Sequence, residues 1–75
     1  MMEPFEEIIE TMTVAEAAEW LRARGMRITP ECLRYGIEQG VFPFGTCVQM
    51  EKGIRCFVYT QMLENWAAAR YKRVG

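Results

Sequence analysis

The chain has 75 residues, 51% hydrophobic and 25% charged, which is enough for one small core and too little for two domains. The net charge is −1 and there is no histidine, serine or aspartate, so the imidazole base and the usual acyl-transfer hydroxyl are missing; no enzyme, cofactor or small-molecule substrate is expected. No apolar run approaches the roughly 18 residues of a membrane span, and the acidic start lacks the basic and apolar regions of a signal peptide, so a cytoplasmic protein without a membrane partner is expected.

Residues 1–12 read as an acidic amphipathic segment. Pro4 suits a first helical position, Glu6 and Glu7 suit a first turn, and Phe5, Ile8, Ile9 and Met12 recur at helical spacing, which predicts a short helix. Its apolar stripe requires cover, either from the domain's own core or from a partner or second copy.

Residues 13–75 read as one domain. Thr13-Val14-Ala15-Glu16 is a capping box, so a helix is expected from Val14, with Val14, Ala17, Ala18 and Leu21 as its buried stripe, Trp20 at its flank and Gly25 to stop it. Small alanines allow a second helix to cross closely. That helix is announced by Thr29 as N-cap and Pro30 at the first position, with Ile28 and Leu33 spaced as a hydrophobic staple and Gly40 at the end. Leu33 and Ile37 face inward, which leaves Glu31, Arg34, Tyr35 and Glu38 outside. An arginine beside a tyrosine on the open face of a short helix suits a DNA groove, the guanidinium for guanine or phosphate and the phenol for phosphate. The alternatives are an Arg34–Glu38 surface ion pair and a Tyr35 that completes the hydrophobic layer.

Beyond Val41-Phe42-Pro43 the pattern turns to period two, over residues 46–50 and 54–59, joined by Glu51-Lys52-Gly53. This predicts a two-stranded β-hairpin with Gly53 in a bulged type I turn and Lys52 and Arg55 near the tip. Thr60 is expected to cap a last helix carrying Met62, Leu63, Trp66 and Ala67, followed by basic Arg70, Lys72 and Arg73. The expected core is Ala18, Leu21, Leu33, Ile37, Phe42, Phe57, Leu63 and Trp66.

Cys32, Cys47 and Cys56 form no C-x-x-C pair and have no histidine beside them, so a four-ligand zinc site within the chain is not available. The odd count argues against a disulfide framework and for small core or half-buried thiols. Charge is segregated: residues 1–20 hold six glutamates and no base, whereas residues 21–75 hold nine bases against four glutamates, leaving +5. A basic face toward phosphate with an acidic face turned elsewhere fits this pattern, as do ordinary solvated helix surfaces.

Helix, glycine turn, helix, hairpin, helix is the order of a winged helix-turn-helix. Thr29-Pro30-Glu31-Cys32-Leu33-Arg34-Tyr35, followed by Glu38-Gln39-Gly40-Val41-Phe42-Pro43, resembles the S-P-x-T-L-R-Y-Y-E-x-x-G-L-L-x-P stretch of the MerR family of transcription regulators. Residues 12–39 also resemble the helix-turn-helix of phage and transposon excisionases, and Gly53-Ile54-Arg55-Cys56-Phe57, Tyr59-Thr60 and Leu63-Glu64-Asn65-Trp66 resemble their wing strand and closing helix. About four fifths of the chain is covered, with the L-R-Y core and the glycine-apolar-apolar-proline ending the most specific parts. The departures are a longer turn at residues 25–28 and Gly36 where the MerR pattern carries a bulky residue, which removes packing there. On length, 75 residues leave no room for a MerR dimerisation helix and sensor domain, so the small excisionase-like type is the better analogue.

The resemblance implies an α+β, mostly α fold with a two-stranded wing, and double-stranded DNA as partner, with an integrase or a second copy on an adjacent site as further partners. It implies that Thr29, Glu31, Arg34 and Tyr35 on the second helix meet the major groove and that Lys52 and Arg55 meet the backbone or minor groove through the wing. The competing expectation is a protein-interaction module that kept the winged fold without DNA, supported by the low total charge and the acidic, apolar N-terminal segment.

Overall fold

The computed structural model describes residues 8–72. Thr13 opens the first helix, α1 (Val14–Ala23): its hydroxyl accepts from the Glu16 amide at 3.0 Å while the Glu16 carboxylate accepts from the Thr13 amide at 2.9 Å, so the capping box forms as its residues require. Gly25, at φ 100°, lets the amides of Gly25 and Met26 turn back onto the carbonyls of Arg22 and Leu21, a Schellman ending. Thr29 then accepts from the Cys32 amide at 3.1 Å and starts α2 (Pro30–Glu38). The staple pair Ile28 and Leu33 is buried at its entry, and Gly40 closes it with a second Schellman ending onto Ile37 and Gly36.

Three antiparallel strands follow a different count from the one expected. Strand β1 (Thr11–Met12) pairs with β3 (Gly53–Tyr59), which also pairs with β2 (Gly45–Met50), giving the order β1-β3-β2. The wing is therefore part of a three-stranded sheet rather than a two-stranded hairpin. Thr11 and Met12 lie in a strand and residues 8–10 are irregular, so the expected N-terminal helix does not extend over this stretch; Pro4, Phe5, Glu6 and Glu7 lie outside the described residues. The reason is tertiary: β3 offers an open edge at Val58 and Tyr59, and backbone pairing there satisfies groups that a short isolated helix leaves half-unpaired. The hairpin turn is two residues, Glu51-Lys52, with Gly53 paired to Met50 at φ 143°, instead of the three-residue bulged turn.

The last helix, α3 (Thr60–Ala68), has Tyr59 as N-cap with no side-chain cap, so Thr60 does not cap it. Its amide donates to the Glu10 carbonyl at 3.0 Å, while Oγ1 is buried without a partner among the described residues. Removing an unpaired buried hydroxyl at constant shape removes a desolvation cost. Thr60→Val is accordingly expected to leave stability unchanged or raise it by up to about 1 kcal/mol, as read from a urea midpoint. A loss larger than that means Oγ1 has a partner.

Ala17, Ala18, Leu21, Ile28, Leu33, Ile37, Phe44, Val58, Leu63 and Ala67 are buried, and Phe42 and Trp66 pack against them. Of the expected core, Phe57 is the exception. Val58, paired with Met12 on one side and Gly45 on the other, points inward, so strand alternation turns Phe57 to the outer face. Gly36 does not remove packing: a Cβ there falls inside the Phe42 ring, which occupies the space the helix leaves open. No helix among the described residues is long and apolar enough to cross a membrane.

Candidate nucleic-acid interface

Helix α2 buries Leu33 and Ile37 and exposes Glu31, Arg34, Tyr35 and Glu38, the division its spacing predicts. Tyr35 is 54% exposed, so it does not complete the hydrophobic layer. Arg34 Nε lies 3.6 Å from Glu38 Oε2 one turn on. An exposed pair of this kind is worth about 0.3–0.5 kcal/mol, so little holds Arg34 back from a stronger anion such as phosphate. The Thr29 hydroxyl is engaged as the helix cap and keeps one donor; Glu31 is exposed in the first turn.

On the wing, Lys52 occupies the turn and is exposed, open to either face of the hairpin. Arg55 lies on the outer face, its guanidinium 5.9 Å from the Phe57 ring, alongside Val48 and Met50. Cys47 and Cys56 occupy the opposite face, where the Glu38 carboxylate and both sulfurs all lie within 4.8 Å of one another. The structure thus brings α2 and the inner face of the wing together through Glu38, while Arg55 projects from the other side of the sheet. Glu10 leads into β1, the sheet edge opposite β2.

Cys47 and Cys56 are joined by a disulfide, contrary to the expectation of unpaired thiols, and Cys32 is left free and exposed. The reason is register: the two residues are directly opposed with Cα atoms 4.0 Å apart. Counting outward from the two-residue turn places them at a non-hydrogen-bonded pair, where side chains approach most closely. An odd count says nothing about such a juxtaposition. In this disulfide form neither sulfur offers a thiolate to a cation.

Two further basic groups lie beside α2. Arg22 and Arg27 flank the turn into α2 and line a surface groove with Gly25, Met26, Ile28 and Thr29, beside the helix N-terminus. The signal was present, two arginines bracketing the turn before the second helix, but the turn is where the chain departs from the family patterns. Arg24 and Arg70 are instead engaged internally. Arg24 stacks 3.6 Å from the centre of Trp20 and donates to the Tyr71 hydroxyl and the Trp20 carbonyl, and Arg70 stacks 4.2 Å from Trp66 and donates to its carbonyl. Both tryptophans are half-buried under these guanidinium groups.

No protein-family model matches the chain, and no curated protein or solved structure is significantly similar to it.

Proposed function

We propose that the chain is a sequence-specific DNA-binding protein on a winged helix-turn-helix, with α2 as the groove-reading helix and the β2–β3 hairpin as the wing. In this reading it is an excisionase-like recombination directionality factor or a small transcription regulator of a phage or mobile element, with DNA as its ligand and no catalytic role. The observation that carries the reading is α2 itself, a short, doubly capped helix packed across α1 that presents Arg34 and Tyr35 to solvent. Arg27 before it and Lys52 on the wing supply flanking positive charge beside the acidic Glu38 and Glu51, and Glu10 lies at the sheet edge opposite β2. Arg55, on the outer face of the wing, is given a backbone role beside the hairpin rather than one shared with α2.

Fluorescence anisotropy or gel shifts on duplexes flanking its own gene test the reading. Binding is expected to weaken steeply with salt. Lys52→Ala should lower the slope of log K against log salt by about 1 without altering sequence preference, and Arg34→Ala should cost about 1–3 kcal/mol and relax preference at one base pair. The competing reading, a protein-interaction module, is favoured by the exposed Val48 and Met50 on the outer sheet face and by Ile8 and Ile9 at 77% and 84% exposure. Affinity weaker than about 10⁻⁴ M for every duplex at low salt would decide for that module.

A further inference from the structure

We infer that Cys47 and Cys56 form a site of reversible thiol–disulfide modification that controls the order of the wing tip. The pair occupies the outermost half-buried rung of the hairpin. Beyond it the rungs Val48/Arg55, Gln49/Ile54 and Met50/Gly53 are exposed, and β1 pairs only with Val58 and Tyr59, so the tip is a two-stranded ribbon without a third strand. Ribbons of that kind are marginally stable in water on their own. The disulfide ties the two strands together where the anchored sheet ends and the projecting tip begins. In the dithiol form that tie is gone, and the three outer rungs depend on their own pairing.

The bond is reachable. Cys47 is half-buried and lines a surface groove with Ile37, Glu38, Gln49 and Ile54, open to a small thiol. The chemistry is two exchange steps with a low-molecular-weight disulfide such as glutathione disulfide as oxidant. One cysteine thiolate attacks the oxidant, forming a mixed disulfide and releasing one glutathione thiolate. The second cysteine thiolate attacks the protein sulfur of that mixed disulfide, closing Cys47–Cys56 and releasing the second. Two electrons pass to the oxidant, and the two protein thiol protons end on the two glutathiones; excess glutathione runs the sequence backward.

The test uses the full chain with Cys32→Ser, which removes the exposed thiol and its intermolecular disulfides. Thiol alkylation and mass spectrometry across a range of reduced to oxidised glutathione should show both forms interconverting. Hydrogen exchange should then show the amides of residues 48–55 exchanging at least tenfold faster in the dithiol form, with those of α1 and α2 little changed. Adding Cys47→Ser and Cys56→Ser should hold the tip at the fast rate whatever the glutathione ratio. Thiols that stay reduced in excess glutathione disulfide, a disulfide that glutathione cannot reopen, or tip amides exchanging alike in both forms would each overturn the inference. The consequence for DNA rests on the functional reading above: reduction should mimic Lys52→Ala in salt slope. Because exchange is measured without DNA, a change in exchange with no DNA affinity removes the DNA reading alone.

Discussion

Phe44→Ala is expected to unfold the domain under mild conditions, at a cost of about 3–5 kcal/mol. Phe44 is 0% exposed, stacks on Phe42 with ring centroids 5.3 Å apart, and meets Trp66 edge-on at 5.1 Å. Its carbonyl accepts from the Tyr59 amide at 2.8 Å, so the residue that leads into β2 is joined to the junction of β3 and α3. Truncation empties the centre of this aromatic group and leaves a cavity that the sheet and helices cannot close. For a 75-residue chain the total stability is roughly 4–11 kcal/mol, so a loss of that size removes much of it. Urea titration followed by the fluorescence of Trp20 and Trp66 measures it. Phe57→Ala is the control, since Phe57 is on the outer face and should cost less than half as much. Equal costs would mean that β3 has the opposite inward face.

Leu33→Ala should cost about 2–5 kcal/mol, with a lower urea midpoint and an unchanged m-value. Leu33 is 0% exposed and belongs to the same cluster as Ala17, Ala18 and Leu21, where the alanines of α1 admit α2 closely. With so little side chain on α1, no neighbour can fill the space a missing isobutyl group leaves. Tyr35→Ala, on the opposite face of the same helix, should change stability by no more than about 0.5 kcal/mol. The pair therefore separates the face that holds α2 in place from the face that is free to touch a ligand. A large stability loss from Tyr35→Ala would show that the exposed ring supports the fold.

Local signals account for what was legible in advance. The capping box at Thr13 and Glu16, the Thr29-Pro30 start, the Ile28 and Leu33 staple and the glycines at 25 and 40 each act within about six residues, so the chain alone specifies where α1 and α2 begin and end. Helical spacing likewise separates Leu33 and Ile37 from Arg34 and Tyr35. The outward placement of the candidate groove-reading residues follows from that spacing.

What the tertiary structure decided involves partners distant in sequence. Phe44 carries no periodic signal between Pro43 and Gly45, and its burial depends on Phe42 and Trp66 closing around it. The inward face of β3 is a matter of parity: a one-residue shift exchanges Phe57 for Val58 and carries Arg55 to the outer face with Phe57, and both faces of this strand are apolar enough for the pattern to permit either. Residues 11–12 left the expected helix because β3 offered an open edge at Val58 and Tyr59, far along the chain, and Cys47 met Cys56 because the register opposed them. Caps and helical stripes are governed by neighbours three or four residues apart and so can be read along the chain. Strand pairing, sheet parity and the disulfide are governed by which distant backbone lies alongside, and that is decided when the core closes.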